Sequence, residues 1–165
     1  MKLNYIGIVG AIIAFISLAL PWWTASASYS GIGLTYNWNL YDAGTIGAGM
    51  NLWYNWVALL LVVLAGILGL AGSIMQNGKK ILMGGGLLAV LAIIIFPVGL
   101  QMDLSSNNSP FGLFSSTSVS GYSYSTYLSF GFWLALVSAI IMLVAAMRTT
   151  KTSPTPSPVL PTPTS

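Results

Sequence analysis

The chain has 165 residues, of which 56% are hydrophobic and only 4% are charged, and its formal net charge is +3. A soluble domain usually carries about 25% charged residues, so this composition indicates one integral membrane domain. The chain contains no cysteine and no histidine. This excludes disulfides, thiolate nucleophiles and metal or haem sites built on these side chains.

Few side chains are left for catalysis or for binding nucleic acid. Asp42 and Asp103 are the two acidic residues, and both fall outside the long apolar runs. The five basic residues are spread over three short segments, and membrane topology explains this distribution better than a nucleic-acid site does. We therefore expect no enzymatic activity, no cofactor and no nucleic-acid partner.

Four apolar runs are predicted to form transmembrane helices, because each can cross a hydrocarbon core of about 30 Å. They cover about residues 3–20, 52–75, 81–102 and 130–147. Lys and Arg lie before the first run, between the second and third, and after the fourth. Because these side chains collect in cytoplasmic loops, we expect a multi-pass protein of the cell membrane with both termini in the cytoplasm. The outer loops are then about residues 21–51 and 103–129.

The first run has a second interpretation as a cleavable signal peptide. Lys2 precedes it and Ala25-Ser26-Ala27 follows it, as at a cleavage site. However, the run is longer than the usual apolar region of about 7–15 residues. Two tryptophans also stand where an interfacial anchor belongs. We expect an uncleaved helix, and the orientation of the remaining chain is the same in both cases.

The first outer segment is predicted to form a β-hairpin. Apolar and mostly polar residues alternate from Ile32, and the apolar ones are Ile32, Leu34, Tyr36, Trp38 and Leu40. This period of two indicates a strand with one buried face. Residues 24–30 alternate more weakly, and Ser30-Gly31 can turn between the two strands. Asp42 ends the hairpin, and a glycine-rich stretch at residues 44–49 leads into the second helix.

The second outer segment offers a further strand. Tyr122 and Tyr124 alternate with serines, and a strand here would pair with the hairpin, since two strands alone are marginal in water. The segment also holds an N-glycosylation acceptor, Asn107-Asn108-Ser109, which Pro110 follows directly. Its use stays open, because such three-residue motifs are weak.

The last segment, residues 148–165, is rich in Pro, Thr and Ser and has no apolar face. We expect a disordered tail, because such a composition cannot bury a core. Tails of this kind also occur as glycosylated stalks outside the cell. Arg148 and Lys151 favour a cytoplasmic position instead.

Small residues recur at a spacing of four in the predicted helices, so that each set lies on one helix face. Such faces let helix backbones approach closely in lipid. We expect contacts within one bundle, although a seam between identical copies would use the same pattern. The residues expected in helix packing are Gly7, Ala11, Ala65, Gly69, Ser73, Gly85, Ala89, Ala135 and Ala139.

Aromatic residues are concentrated near the outer ends of the predicted helices. An aromatic belt at the membrane interface explains most of them, among which are Trp22, Trp23, Trp53, Tyr54, Trp56, Tyr127 and Trp133. A platform that binds a sugar or a partner protein is the alternative, because Tyr and Trp dominate interface hot spots. The residues expected to bind a partner on the outer face are Tyr36, Trp38, Tyr122 and Tyr124.

These features resemble the claudin and peripheral-myelin-protein tetraspans. Leu20, Pro21 and Trp23 match the Leu-Pro-x-Trp pattern at the end of the first helix, and Trp38 stands where the first loop carries its Trp. The entry to the last helix, residues 121–130, is similar to that of the channel-accessory members. The two loop cysteines of the family are absent. The resemblance implies a membrane all-α four-helix bundle with a small extracytoplasmic antiparallel β-sheet, in a non-enzymatic structural, adhesive or accessory protein.

Three classes of function are compared on the cost of polar groups in a membrane. A transporter or channel usually places ionisable or strongly polar side chains at membrane depth, whereas the polar residues identified in the spans are Ser17, Ser73 and Ser138. An enzyme would have to work with two surface carboxylates. We therefore expect a structural, adhesion or accessory subunit, with a small transporter or channel component as the alternative. Its expected partners are the lipid bilayer and another membrane protein or a second copy.

Overall fold

The computed structural model of the protein describes residues 3–41, 53–106 and 112–148. Within these ranges the chain forms four α-helices and a small antiparallel sheet of four strands. The elements in chain order are α1 (Tyr5–Leu18), β1 (Trp23–Tyr29), β2 (Ile32–Trp38), α2 (Trp53–Ile74), α3 (Lys79–Ser106), β3 (Ser115–Val119), β4 (Tyr122–Leu128) and α4 (Phe130–Arg148).

Several predicted features fall outside the described residues. They are Asp42, the glycine-rich stretch at residues 44–49, the Asn107-Asn108-Ser109 triplet and the tail from residue 149 onward.

Three of the four described helices are long and apolar enough to cross a membrane, namely α2, α3 and α4. They have 22, 28 and 19 residues, whereas α1 is a shorter apolar helix of 14 residues. The ends of α1 explain why it is shorter than the predicted residues 3–20. Asn4 caps its N-terminus by accepting a hydrogen bond from the Gly7 amide. Pro21 follows the other end, and residues that precede a proline disfavour helical backbone.

Helix α3 extends beyond its predicted bounds at both ends. Its 28 residues span about 42 Å at 1.5 Å per residue, which exceeds the hydrocarbon thickness of about 30 Å. Asp103, predicted for the outer loop, therefore lies on the last turns of this helix. The lysine pair Lys79 and Lys80 opens the helix at its other end, next to the turn at Asn77-Gly78.

The helices contact one another in a ring, in which α1 and α3 each lie between α2 and α4. Small residues make these contacts close. A Cβ atom at Gly69 would lie 3.0 Å from the Cβ of Ala11, and one at Gly85 would lie 2.9 Å from the carbonyl oxygen of Ala65. All the residues predicted for helix packing are buried in the bundle of this one chain.

Polar side chains connect helices, for example at Asn4 and at Ser138. Asn4 connects the start of α1 to α2 and α4. Its backbone N–H donates to the Ser73 carbonyl at 3.0 Å, and its side-chain Nδ2 donates to the Ala145 carbonyl at 3.2 Å. Ser138 on α4 donates to the Gly10 carbonyl on α1 at 2.8 Å. Ser17 and Ser73 bond carbonyls of their own helices instead, those of Ala14 and Gly69.

The sheet has the strand order β2-β1-β4-β3, and every neighbouring pair is antiparallel. Two tight turns join its hairpins, at Ser30-Gly31 and Ser120-Gly121. All four turn residues have positive φ, of 46° and 84° in the first turn and 49° and 84° in the second, which is typical of two-residue hairpin loops whose twist suits the flanking strands. The first hairpin is the predicted one, and β4 is the further strand expected beside it. Strand β3 is an addition to the prediction.

Candidate functional site: an exposed apolar face of the outer sheet

A buried tryptophan joins the sheet to the helix bundle. Trp22 lies four residues beyond the end of α1. Its backbone amide donates to the Trp38 carbonyl at 2.8 Å, and its carbonyl accepts from the Ser129 amide at 2.9 Å. Its indole Nε1 donates to the Ser17 carbonyl at 2.9 Å, and its ring packs edge-on against Phe96 and Phe132. The side chain of Trp22 therefore contacts or bonds α1, α3 and α4, while its backbone bonds the base of the sheet.

The base of the sheet is part of the same core. Trp23 and Trp38 are paired across β1 and β2, and their rings pack edge-on with centroids 5.5 Å apart. Trp38 is only 3% exposed, so it does not offer a contact surface to a partner and instead fixes β2 to the bundle. Trp22, Trp23 and Tyr54 are likewise buried, which makes them core residues rather than members of the expected interfacial belt.

The strand register divides the sheet into two chemically different faces. Ala27 lies between Leu34 and Tyr124, and Tyr29 lies between Ile32 and Tyr122, so their side chains share one face. We call this surface the outer apolar face, and its members are Ala25, Ala27, Tyr29, Ile32, Leu34, Tyr36, Tyr122 and Tyr124.

The opposite face carries mostly small polar side chains, with Tyr127 beside Thr24 near its base. Thr24 donates to the Asn37 side-chain oxygen at 3.1 Å, and Ser26 and Thr35 bond at 3.2 Å. Ser118 and Ser123 form a similar pair at 3.4 Å. Because these hydroxyls and amides bond across the strands, they hold the register without exposing apolar surface. The residues of all four strands carry no charge on either face.

Most of the outer apolar face is exposed. The exposed fractions are 74% for Ile32, 60% for Leu34, 62% for Tyr36, 49% for Tyr29 and 43% for Tyr122. The prediction that the alternating segment buries its apolar face is therefore wrong along most of β2, and holds at Trp38 and at Leu40 just beyond the strand. The physical reason is that the described helices contact the base of this single-layer sheet, so its distal part has no second layer against it.

The outer apolar face is concave. An open, shallow depression of about 260 Å³ lies above Ala27, between side chains of β1, β2 and β4. Tyr29 and Tyr122 stack with ring centroids 4.2 Å apart, and Tyr122 and Tyr124 lie nearly parallel at 6.3 Å. Tyr29 and Tyr122 stack on each other, so one face of each ring is not available to a sugar. They therefore suit contact with apolar side chains of a partner better than stacking against a sugar ring.

Polar side chains lie buried where α2 begins. Asn55 is fully buried, and neither its side-chain nitrogen nor its oxygen has a hydrogen-bond partner among the described residues. The neighbouring Tyr54 hydroxyl is also buried, and the Asp103 carboxylate is its electrostatic neighbour. The sequence interpretation missed Asn55, although an amide inside an apolar run was the available signal. These groups lie apart from the outer apolar face.

The comparisons with known proteins leave the family of this chain open. No family model and no curated protein matches the sequence. The resemblance to claudin-type tetraspans therefore stays a prediction that rests on the residues quoted above. Among the described residues, no group of three or more His, Cys, Asp or Glu side chains is placed to hold a metal ion.

Proposed function

We propose that this chain is a non-enzymatic, claudin-like membrane protein that acts as a structural, adhesion or accessory subunit. Its outer apolar face binds another membrane protein or a second copy of itself. The observation that carries this proposal is the exposure of Ile32, Leu34 and Tyr36 on a sheet that is fixed to the bundle through Trp22 and Trp38. Contiguous apolar patches of several hundred Å² on a protein surface mark interaction sites.

The proposed location is the cell membrane, with the sheet outside and both termini in the cytoplasm. Three helices of sufficient length and apolarity support membrane association. Lys79 and Lys80 are exposed at one end of the bundle, and the sheet lies at the other. Lysines next to a membrane helix favour the cytoplasmic side, and this supports the proposed position of the sheet outside the cell.

This orientation predicts which positions an impermeant thiol reagent reaches in intact cells. The natural chain has no cysteine, so each single-cysteine variant gives one signal. Ser30→Cys and Ser118→Cys, in the exposed part of the sheet, should react from outside. Asn77→Cys, in the turn between α2 and α3, should react only after the cells are permeabilised. If only Asn77→Cys were labelled in intact cells, the protein would have the opposite orientation in the membrane.

A second contrast separates binding by the sheet from transport through the bundle. Changing Tyr36, Tyr122 and Tyr124 together to serine should abolish association with membrane partners while the bundle stays folded, because tyrosine supplies contact area at low entropic cost. Co-purification in mild detergent measures the association, and helical circular dichroism measures the fold.

The matched control for this contrast replaces Ser17, Ser73 and Ser138 together by alanine. The hydroxyls of Ser17 and Ser73 donate to carbonyls of their own helices, and of these three hydroxyls only that of Ser138 donates to another helix. Such bonds in lipid contribute about 0.6 kcal/mol on average, so folding and association should stay close to those of the natural protein. A solute flux that disappears in this triple variant would instead favour a transporter.

The alternative function, a small transporter or channel component, has one observation in its favour. Asn55 is buried without a hydrogen-bond partner among the described residues, and intramembrane polar groups of this kind often mark substrate or ion pathways. The three buried serines do not continue a polar pathway from Asn55 through the bundle, because each serine hydroxyl is bonded to a backbone carbonyl. The outer apolar face therefore supports the accessory role more strongly.

A further inference from the structure

We infer that the junction between the base of the sheet and the start of α2 encloses ordered water. The side chains of Trp23, Trp38, Tyr54 and Asn55 form hydrogen bonds with this water. The inference goes beyond the proposed function, because it concerns how the sheet is held to α2 and not what the outer apolar face binds. It follows from the burial of these side chains, from their polar atoms and from the helix face on which Asn55 lies.

Buried polar atoms without a direct hydrogen bond are concentrated at this junction. The indole nitrogens of Trp23 and Trp38, the Tyr54 hydroxyl and both polar atoms of the Asn55 side chain have no partner among the described residues. The two tryptophans are 5% and 3% exposed, and Tyr54 and Asn55 are 0% exposed. Buried polar groups need a replacement for the hydrogen bonds that they make in water, because the net stability of a fold is small compared with the cost of several unpaired groups.

The helix face of Asn55 points to the segment that carries Trp23. Gly66 on α2 lies against α1, since a Cβ atom there would be 2.7 Å from the ring of Phe15. Asn55 is buried on the same face of α2, about three turns nearer the sheet. Because α1 ends at Leu18, the neighbour of α2 at this height is the chain that follows α1 and begins β1 at Trp23.

The four side chains belong to one continuous region of the core. Trp23, Trp38 and Tyr54 are members of the same cluster of buried residues, and Asn55 follows Tyr54 directly. Tyr54 packs against α3 at Gly99, where an added Cβ atom would clash with its ring. The Asp103 carboxylate, one turn further along α3, is the electrostatic neighbour of the Tyr54 hydroxyl. The junction is therefore bounded by the sheet, α2 and α3.

The chemistry of the junction favours water over an ion. The two indole groups only donate hydrogen bonds, whereas the hydroxyl and the amide can both donate and accept. A cation would meet the indole donors, and an anion would meet the Asp103 carboxylate beside Tyr54. Water both donates and accepts. A buried water makes about three hydrogen bonds, so about two waters would pair all five polar atoms.

The first test detects the water in the natural full chain, in lipid nanodiscs or mild detergent. Nuclear Overhauser transfer from water should reach the indole N–H protons of Trp23 and Trp38 and the side-chain amide protons of Asn55. Rotating-frame measurements separate such contacts from chemical exchange with solvent, because the two effects have opposite signs.

The matched control is the third buried indole in this region. Trp22 is 0% exposed, but its Nε1 donates directly to the Ser17 carbonyl. Its N–H proton should therefore show no water contact. Absence of the contact at Asn55 or at both Trp23 and Trp38 would overturn the inference, and so would equal contacts at all three indoles.

The second test replaces Asn55 by leucine, which has a similar size and no polar atom. The water contacts at Trp23 and Trp38 should fall at least threefold, and the midpoint of unfolding should fall as well, because the indoles lose the water that paired them. An amide that lies dry in the core would give the opposite result, since its removal stabilises an apolar environment. Unchanged contacts or a higher midpoint would overturn the inference. The first test uses the natural chain, so it also decides the question if Asn55→Leu does not fold.

The outcomes separate this inference from the proposed function. The triple serine variant of Tyr36, Tyr122 and Tyr124 keeps all four side chains of the junction. It should therefore keep the water contacts while it loses association with membrane partners. Water contacts without partner binding would contradict the proposed function alone, and partner binding without water contacts would contradict this inference alone.

Discussion

Replacing Trp22 by alanine should lower the free energy of unfolding by about 3–5 kcal/mol, as is typical when a buried aromatic side chain is truncated. Trp22 is fully buried, and its ring contacts Phe96 and Phe132. The substitution leaves a cavity where α3, α4 and the sheet meet. It also leaves the Ser17 carbonyl without the indole donor. Denaturant titration in mixed micelles, followed by helical circular dichroism, measures the loss.

Two further variants identify the source of this loss. Trp22→Phe keeps an aromatic ring but removes the hydrogen bond to Ser17, so we expect a smaller loss, with about 0.5–1.5 kcal/mol due to the bond. Trp56→Ala removes an indole that is 58% exposed, and it should leave the midpoint of unfolding nearly unchanged. Equal effects of Trp22→Ala and Trp56→Ala would contradict the role of Trp22 as the connection between sheet and bundle.

The same tryptophan shows where sequence reasoning is limited. The Leu20-Pro21-Trp22-Trp23 segment predicted the end of the first helix, because proline disfavours helix before it. It did not show that both indoles are buried. Interfacial and core tryptophans occupy similar positions near the end of an apolar run. The two cases differ in whether other elements cover the indole. Here β2, α3 and α4 cover it.

The outer sheet shows a similar division. The alternation from Ile32 to Trp38 correctly predicted which side chains share a face, because this depends only on strand geometry. Whether that face is buried depends on a second layer, and a local pattern does not report one. The exposure of Ile32 and Leu34 therefore could not be predicted from the local sequence pattern. It is also the feature on which the functional proposal rests.

Strand β3 was missed for a different reason. Residues 115–119 are nearly all Ser and Thr, so apolar and polar residues do not alternate there. Such a segment forms a strand because its neighbour β4 offers an unpaired edge, and its register with β4 is fixed by backbone pairing and by bonds such as that between Ser115 and Thr126. Pairing of this kind is a tertiary effect that overrides weak local preference.

The spacing of small residues was more informative, and it yields a sharp test in the bundle. Gly85 and Gly84 are consecutive residues of α3 with opposite surroundings. A Cβ atom at Gly85 would lie 2.9 Å from the Ala65 carbonyl oxygen and 3.1 Å from the Gly69 amide nitrogen, both in the backbone of α2. A Cβ atom at Gly84 would meet no atom within 4 Å.

Gly85→Ala should therefore destabilise the protein by about 1–3 kcal/mol, the usual cost of inserting a methyl group into a close-packed contact. The cost arises because helix backbone cannot move aside as a flexible side chain can, so α2 and α3 must separate. Gly84→Ala should stabilise the protein by up to about 1 kcal/mol, because alanine favours the helix more than glycine does and finds open space. Denaturant titration of the two variants under identical conditions compares them directly. If both substitutions stabilised the helix equally, the close contact between α2 and α3 at Gly85 would be absent from the folded protein, and the seam would have to lie elsewhere on α3.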